Sequence, residues 1–311
     1  MAPLVSIVMP AYNAEKYIGE SIESVLSQTY TNIELIIVED CSTDGTLEVI
    51  KQYADERITL EVNTKNRGIA FSTNRGIELS KGKYIALLDD DDMATPDRVE
   101  LQVNYLEAHS EVDILGGWTE TIDGYGNHLN YYPEPRRNPK YIKALLLFTW
   151  WEFENSTTMF RRQFWEESGI RYEDNCCGLQ DLRFFMKASK VGTMSAIHNL
   201  VLYKRNHDSN ESKYRHEKFA KERDAAYRKF RIESLKESGI YLEQDEYDTL
   251  NNLLSDLNFD KKKSDLEALY GIFRKILIQV KQKTDFYKEA EHVCKRLLRG
   301  YLMNIDSFFD I

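Results

Sequence analysis

Cysteine, proline and long apolar runs are all scarce in this chain, and each scarcity closes a class of explanation. Four cysteines, Cys41, Cys176, Cys177 and Cys294, stand among 311 residues. None has C-x-x-C spacing and two are adjacent, so neither a zinc site nor a disulfide framework is indicated, and a reducing, cytoplasmic compartment is expected. No apolar stretch approaches the roughly 20 residues that span a bilayer. Met1-Ala2-Pro3 leads into a strand pattern without a basic segment and apolar core of the secretory kind, which predicts no leader. Six prolines and no Ser/Gly-rich tract leave any domain boundary soft. Basic charge is short as well. Residues 1–212 carry 21 Lys and Arg against 33 Asp and Glu, residues 213–311 carry 20 against 18, and the net charge is −10. A phosphate backbone wants a basic surface, which argues against nucleic acid as a partner.

What is present is an alternation of strands and helices. Leu4–Met9 is apolar except for Ser6, as in a strand buried on both faces. Asn13 offers an N-cap to a helix carrying Ile18, Ile22, Val25 and Leu26. Ile33–Val38 is a second buried strand and Ile58–Val62 a third. Ile69–Ser80 is helical, Tyr84–Leu88 is a fourth strand, and Thr95-Pro96 caps the next helix. Such alternation implies a parallel, doubly wound α/β sheet, whose ligands bind at the carboxyl ends of strands. Three polar clusters follow strand ends here: Pro10-Ala11-Tyr12-Asn13, Glu39-Asp40 and Asp89–Asp92. They are expected to converge in space. From about Val112 the pattern changes to strands with hairpin turns at Asp123-Gly124 and Gly126-Asn127. Beyond about 212 it is wholly helical, giving a catalytic domain over 1–212 and a helical domain over 213–311.

Asp89-Asp90-Asp91-Asp92 is the strongest local signal. Adjacent carboxylates repel, so a fold gathers them with a compensating cation, and hard ions such as Mg²⁺ or Mn²⁺ take oxygen ligands shared with substrate phosphates. A solvated acidic turn capping the next helix is the plain alternative. The buried strand Ile85-Ala86-Leu87-Leu88 in front of it favours the cation.

Val5–Asn13, Ser24–Tyr30, Glu39–Thr46, Asn66-Arg67-Gly68, Asn74-Arg75-Gly76 and Gly82–Ile85 with Leu88–Asp92 together resemble the family 2 glycosyltransferases of GT-A fold, in order and at the usual spacing. The resemblance covers residues 4 to about 212. It implies a Rossmann-like mixed sheet, and inverting transfer from a nucleotide-sugar donor, UDP-linked, to a saccharide or lipid-linked saccharide, as in bacterial surface polysaccharide assembly. By the same resemblance Tyr12 packs on the base, Pro10 and Ala11 lie along the nucleoside, and Asp40, with Glu39 beside it, accepts from uracil. Arg75 contacts the nucleotide or is a surface helix residue. Asp89, with Asp90 next to it, faces ribose and sugar. Asp91 holds Mn²⁺ or Mg²⁺, joined by Asp89 and by His207 of the Tyr203–Ser209 segment; Asp92 supports them. Asp181 falls on the catalytic base, although it also suits an N-cap, and Gln180 replaces the usual Glu before it. Trp118, Trp150, Trp151 and Trp165 flank the acceptor region, as sugar platforms or as core. A sugar nucleotidyltransferase would open with a Gly-rich loop after its first strand, which Pro10–Asn13 lacks. A non-catalytic scaffold of the same fold is the other alternative.

The last two helical patterns carry apolar stripes: Ile272, Phe273, Ile276, Leu277 and Val280, then Phe286, Ala290, Val293, Cys294, Leu297, Leu298 and Tyr301. Cations accompany them, Arg274, Lys275, Lys281 and Lys283 on one and Lys288, Lys295, Arg296 and Arg299 on the other. Packing on one another, on the catalytic domain or on a second subunit in a homodimer is favoured, because acids are interleaved. Peripheral contact with the anionic inner face of the plasma membrane is the alternative.

Overall fold

The computed structural model describes residues 2–131, 138–149, 153–208, 210, 218–255 and 263–306. The chain divides into two compact units. The first comprises Met1–Arg137, Glu152–Asn175 and Lys187–Asn210; the second comprises Asn138–Trp151, Cys176–Met186 and Glu211–Ile311.

The first unit is built on a mixed sheet in the order β3-β2-β1-β4-β8-β6-β9-β5, with β7 paired to β6. Strands β1 (Val5–Ala11), β2 (Ile33–Glu39), β3 (Ile58–Val62) and β4 (Tyr84–Leu87) are mutually parallel. The expected strands are therefore present within two residues at each end. Because β1, β2 and β4 lie inside the sheet, both of their faces are apolar, while edge strand β3 is half-exposed. Helices α1 (Ile18–Leu26), α2 (Thr46–Ile50) and α4 (Arg98–Ala108) cover the face that carries Ile7, Met9, Leu35 and Ala86. Helix α3 (Ile69–Leu79) covers the other: Gly76 sits so close that an added Cβ would lie 2.4 Å from Val8 Cγ1.

The remaining strands extend this sheet beyond β4, with β5, β7 and β8 antiparallel to it and β6 and β9 parallel. They are β5 (Met93–Ala94), β6 (Ile114–Asp123), β7 (His128–Tyr131), β8 (Met159–Arg161) and β9 (Met194–Asn206). β8 pairs antiparallel with β4 and β6, and β9 runs parallel to β6 for most of its length. The β6–β7 turn falls on Gly124–Asn127, at the expected hairpin. Two helix starts differ from expectation. Asn13 is no N-cap: it adopts φ 53 inside a loop, and α1 begins after Tyr17. Helix α4 begins at Arg98, because the Thr95 hydroxyl is engaged by Asp97 and the Leu200 carbonyl.

In the second unit, α5 (Pro139–Leu146) packs with α8 (Ala220–Glu237), α9 (Gln244–Leu253), α10 (Lys263–Lys283) and α11 (Tyr287–Asp306). One core unites them, containing Phe148, Leu235, Leu250, Phe273, Ile276, Val280, Ala290, Val293 and Leu297. The two C-terminal apolar stripes thus pack on one another. No helix among the described residues is long and apolar enough to cross a membrane.

Gly82 tests how closely the strands of the first unit approach. An added Cβ would lie 2.6 Å from Ser6 N and 2.7 Å from Leu4 O, both backbone atoms with little freedom to yield. Gly82→Ala should lower stability by about 2–3 kcal/mol. The urea midpoint reads this, and an unchanged midpoint would show that the β1 edge relaxes.

Candidate active site

The loops that follow β1, β2 and β4 are joined by hydrogen bonds. Asp40 N donates to Ala11 O at 2.8 Å, and Tyr12 N donates to Asp90 Oδ2 at 2.8 Å. The segment after β1 is then laced to the segment after β2. Asn13 N donates to Ser42 Oγ, Ala14 N to Thr46 Oγ1, and Asn13 Oδ1 accepts from Thr43 N. The three polar clusters converge as expected. Pro10 and Ala11 close β1, and the Tyr12 ring, 43% exposed, stands free of the core beside them.

Glu39 and Asp40 are both buried, at 1% and 3% exposure, and both are bound to backbone. Glu39 accepts from Ser42 N at 2.6 Å and Cys41 N at 3.2 Å, which holds Cys41 at φ 60. Asp40 Oδ1 accepts from Asn63 Nδ2 and Arg67 N, and its Oδ2 from Gly68 N, all at 2.7–2.8 Å. A carboxylate offers about four acceptor positions. Three are used by the loop entering α3. Arg75 does not join this cluster through its ion pairs: on α3 it binds Glu61 of β3 at 2.8 Å, with Glu78 3.9 Å away.

The four aspartates have separate tasks. Asp90 receives Tyr12 N, and its carbonyl receives Ser21 Oγ at 3.0 Å. Asp92 is buried and accepts from Arg205 N at 2.9 Å. Burial, then the charge of Asp91, push the carboxyls of Asp90 and Asp92 well above the usual carboxylate range. The same two causes raise Asp89 to about 6, against a hydrogen bond from Ser156 and the charge of Lys204. Two buried arginines that the sequence did not single out lie against this run. Arg98 donates from Nη2 to Leu87 O at 2.8 Å and from Nε to Gln102. Burial brings it down to about 10, with Asp92 and Asp89 opposing, so it stays charged at neutral pH. Arg205 donates from Nε to Asp91 O at 3.0 Å and from Nη2 to Glu20 at 2.6 Å. The compensating charge expected of a metal is therefore supplied in part by the protein.

Asp91 keeps its side chain for a different set. Its Oδ2 lies 3.0 Å from His207 Nε2 and accepts from Asn210 Nδ2 at 2.9 Å. Among the described residues no three His, Cys, Asp or Glu side chains form a ready-made metal cage. The Asp91 carboxylate suits a hard cation that would take most of its ligands from phosphate and water, whereas an imidazole is a ligand better matched to softer first-row ions than to Mg²⁺. Asp181 lies in the second unit, in the first turn of α7 (Gln180–Val191), where its Oδ1 accepts from Leu182 N at 2.8 Å. Arg223 of the same unit anchors the loop before it through Cys177 O and Gly178 O. The Asp181 bond to the following residue is not the expected N-cap, because Asp181 is the second residue of the helix rather than the one before it. Trp165 is buried between Phe160 and Tyr172, with Arg171 over its ring, so it is core. Trp118 is half-buried on β6; Trp150 and Trp151, like Ser209, lie outside the described residues.

The glycosyl transferase family 2 model matches residues 6–170. The chain belongs to this family. An uncharacterized glycosyltransferase of Haemophilus influenzae is 32% identical over 226 residues, 69% of each chain. The putative teichuronic acid biosynthesis glycosyltransferase TuaG of Bacillus subtilis is 43% identical over 110 residues, 35% of this chain and 44% of that one. Escherichia coli chondroitin synthase is 31% identical over 212 residues, 68% of this chain and 30% of that one. The chain spans about half or less of the latter two. Among solved structures, Staphylococcus aureus TarS 1–349 in complex with UDP-GlcNAc superposes with a TM-score of 0.65 at 17% identity, covering 98% of this chain and 91% of that one. The mannosyltransferase PcManGT of Pyrobaculum calidifontis, in complex with GDP-Man and Mn²⁺, gives 0.55 at 16% identity, covering 98% and 86%. The GT-A-type mixed α/β sheet with C-terminal helices is thus the fold. Membership in this family sets aside the nucleotidyltransferase reading.

The raised Asp89 carboxyl makes a pH prediction for the glycosyltransferase without metal. Asp89 holds its proton more tightly folded than unfolded, so ionising it costs the fold stability. That cost is absent below the ordinary value of about 3.9 and is complete above about 6. In EDTA, the melting temperature should fall as pH rises across this window, and Asp89→Asn should flatten the fall. An unflattened slope would assign the effect to other groups.

Proposed function

We propose that this glycosyltransferase is metal-dependent and inverting, and that it moves a sugar from a UDP-linked donor to a hydroxyl of a saccharide or lipid-linked saccharide in the assembly of a surface polysaccharide. The observation that carries the reading is the joining of three strand-end loops around Asp89–Asp92, with His207 against Asp91. Similarity to TuaG and chondroitin synthase supports polysaccharide assembly, and the UDP-GlcNAc bound by TarS and the Mn²⁺ bound by PcManGT support the donor and the metal.

The chain's residues then take these parts. The exposed Tyr12 ring packs on the base, along the wall of Pro10 and Ala11, and the remaining acceptor position of Asp40 receives the uracil imide N–H. Glu39 holds the turn that presents Asp40. Asp89 and Asp90 line the ribose and sugar side, and Asp91 and His207 hold the metal. Bound there, Mn²⁺ or Mg²⁺ would neutralise charge growing on the leaving diphosphate. Asp181 takes the proton from the acceptor hydroxyl as it attacks the anomeric carbon from the opposite face. Arg75, paired to Glu61, reaches the nucleotide only by exchanging partners.

Two variants test separate parts. Asp91→Ala should abolish transfer and metal-dependent UDP binding while the protein stays folded; an active variant, or a wild type indifferent to EDTA, overturns the metal. Asp181→Asn preserves an oxygen for Leu182 N while removing the proton acceptor. Its kcat should fall by roughly 10² to 10⁴ with donor affinity kept. Spared kcat with lost donor binding would reduce Asp181 to a structural residue. Absence of Mn²⁺-stimulated UDP-sugar hydrolysis by the wild type would favour a non-catalytic scaffold.

A further inference from the structure

Tyr17, directly before α1, is buried, at 6% exposure. Its described partners are polar. The His207 ring packs on it with centroids 4.5 Å apart and planes tilted by 39°. The Arg205 guanidinium carbon lies 4.8 Å from its centroid and Lys16 Nζ 4.9 Å. Aromatic faces attract cations through the ring quadrupole, so this is a stable setting for a tyrosine, but an unusual one for a core residue. The β6–β7 turn completes the enclosure: a Cβ added at Gly124 would lie 3.0 Å from Tyr17 Oη and 3.8 Å from His207 Cβ.

We propose that Tyr17 is a positioning residue, whose ring holds the His207 imidazole against Asp91 and so shapes the metal–diphosphate end of the donor site. The proposal rests on the donor-site reading above. His207 is the first residue after β9, where the sheet no longer orders the chain. Its backbone is fixed by donation from its N–H to Asn210 Oδ1 at 2.6 Å. Asp91 Oδ2 and Asn210 Nδ2 lie 3.0 and 3.1 Å from the Nε2 tip of the side chain, and the Tyr17 ring packs on the face of the imidazole. The ring itself is held at the first turn of α1, which is bonded to the acidic run at two further points. Ser21 Oγ donates to Asp90 O, and Glu20 pairs with Arg205. Tyr17 is thus the third link between α1 and this end of the site, and the one that touches a metal-facing side chain.

The test uses the full chain with Tyr17→Phe, Tyr17→Leu and Gly124→Val. Two readouts are taken beside thermal melting: Mn²⁺ affinity in the presence of UDP, from the EPR signal of free Mn²⁺, and the His207 ring protons in ¹H–¹³C spectra, assigned with His207→Gln. Tyr17→Phe keeps the ring and should keep wild-type Mn²⁺ affinity and the upfield His207 signal. Tyr17→Leu should weaken Mn²⁺ binding roughly tenfold, the usual effect of losing a group that orients a ligand, and move the His207 signal to the position of an unstacked imidazole. Gly124→Val presses on the ring from outside and should shift both readouts in the same direction, which carries the test if Tyr17→Leu does not fold. A folded Tyr17→Leu with both readouts unchanged, or a Tyr17→Phe as impaired as Tyr17→Leu, overturns the proposal. A wild type that binds no Mn²⁺ with UDP overturns the functional reading instead; the His207 signal still decides the position of the ring.

Discussion

Four consecutive carboxylates at the end of a buried strand are the constraint around which the first unit is organised. Like charges at this spacing destabilise one another strongly where water is excluded. The structure answers by giving each a different partner. Asp90 is spent on a backbone N–H of the neighbouring loop, and Asp92 on the backbone of β9. Arg98 and Arg205 bring positive charge, yet their described bonds go to the carbonyls of Leu87 and Asp91, to Gln102 and to Glu20. They offset the field of the run without occupying the Asp91 carboxylate. A buried arginine is tolerated only when its donors are satisfied, and those carbonyls satisfy them.

This division of labour explains the mixed topology. A purely parallel unit ending at β4 would have no element to close over the acidic run. The antiparallel strand β8 turns the sheet back, and β9, thirteen residues long and parallel to β6, delivers Arg205 and His207 to aspartates more than a hundred residues earlier. The 3-10 turn Asn155–Thr157 before β8 serves the same end, since Ser156 bonds Asp89 and the Thr157 carbonyl is held by Gln102. Helix α1 is tied to the same run by Ser21 Oγ, which donates to Asp90 O, and by the Glu20–Arg205 pair.

Strand positions and the convergence of the three loops were legible because both depend on local pattern and on one rule of sheet topology. The meeting of Asp91 and His207 was legible only through motif spacing. Arg98 and Arg205 were not, because a single arginine at a helix start or in a strand ordinarily reads as exposed; only packing beneath β4 reveals its burial. Asn13 misled for a definite reason. Asn favours helix caps, but it is also among the few residues that tolerate positive φ, and here its side chain is needed by Thr43. Arg75 sits on its expected helix, while its partner Glu61 belongs to an edge strand whose register no helical pattern encodes. Trp165 stacks in the core, the commoner fate of tryptophan.

Glu39 and Asp40 carry the argument one step beyond charge. Both are buried anions whose ligands are mainly backbone N–H groups, so they act on the loops as a bound anion would, fixing several peptide orientations at once. The ordering entropy of those loops is then met on folding, before any donor arrives. Against this frame the Tyr12 ring is left exposed, and its backbone N–H is held by Asp90. The position of that ring is therefore set by the acidic run itself. One aspartate run therefore orders both the exposed ring after β1 and, through Asp91, the His207 imidazole after β9, and its link to the ring is one hydrogen bond, Tyr12 N to Asp90 Oδ2.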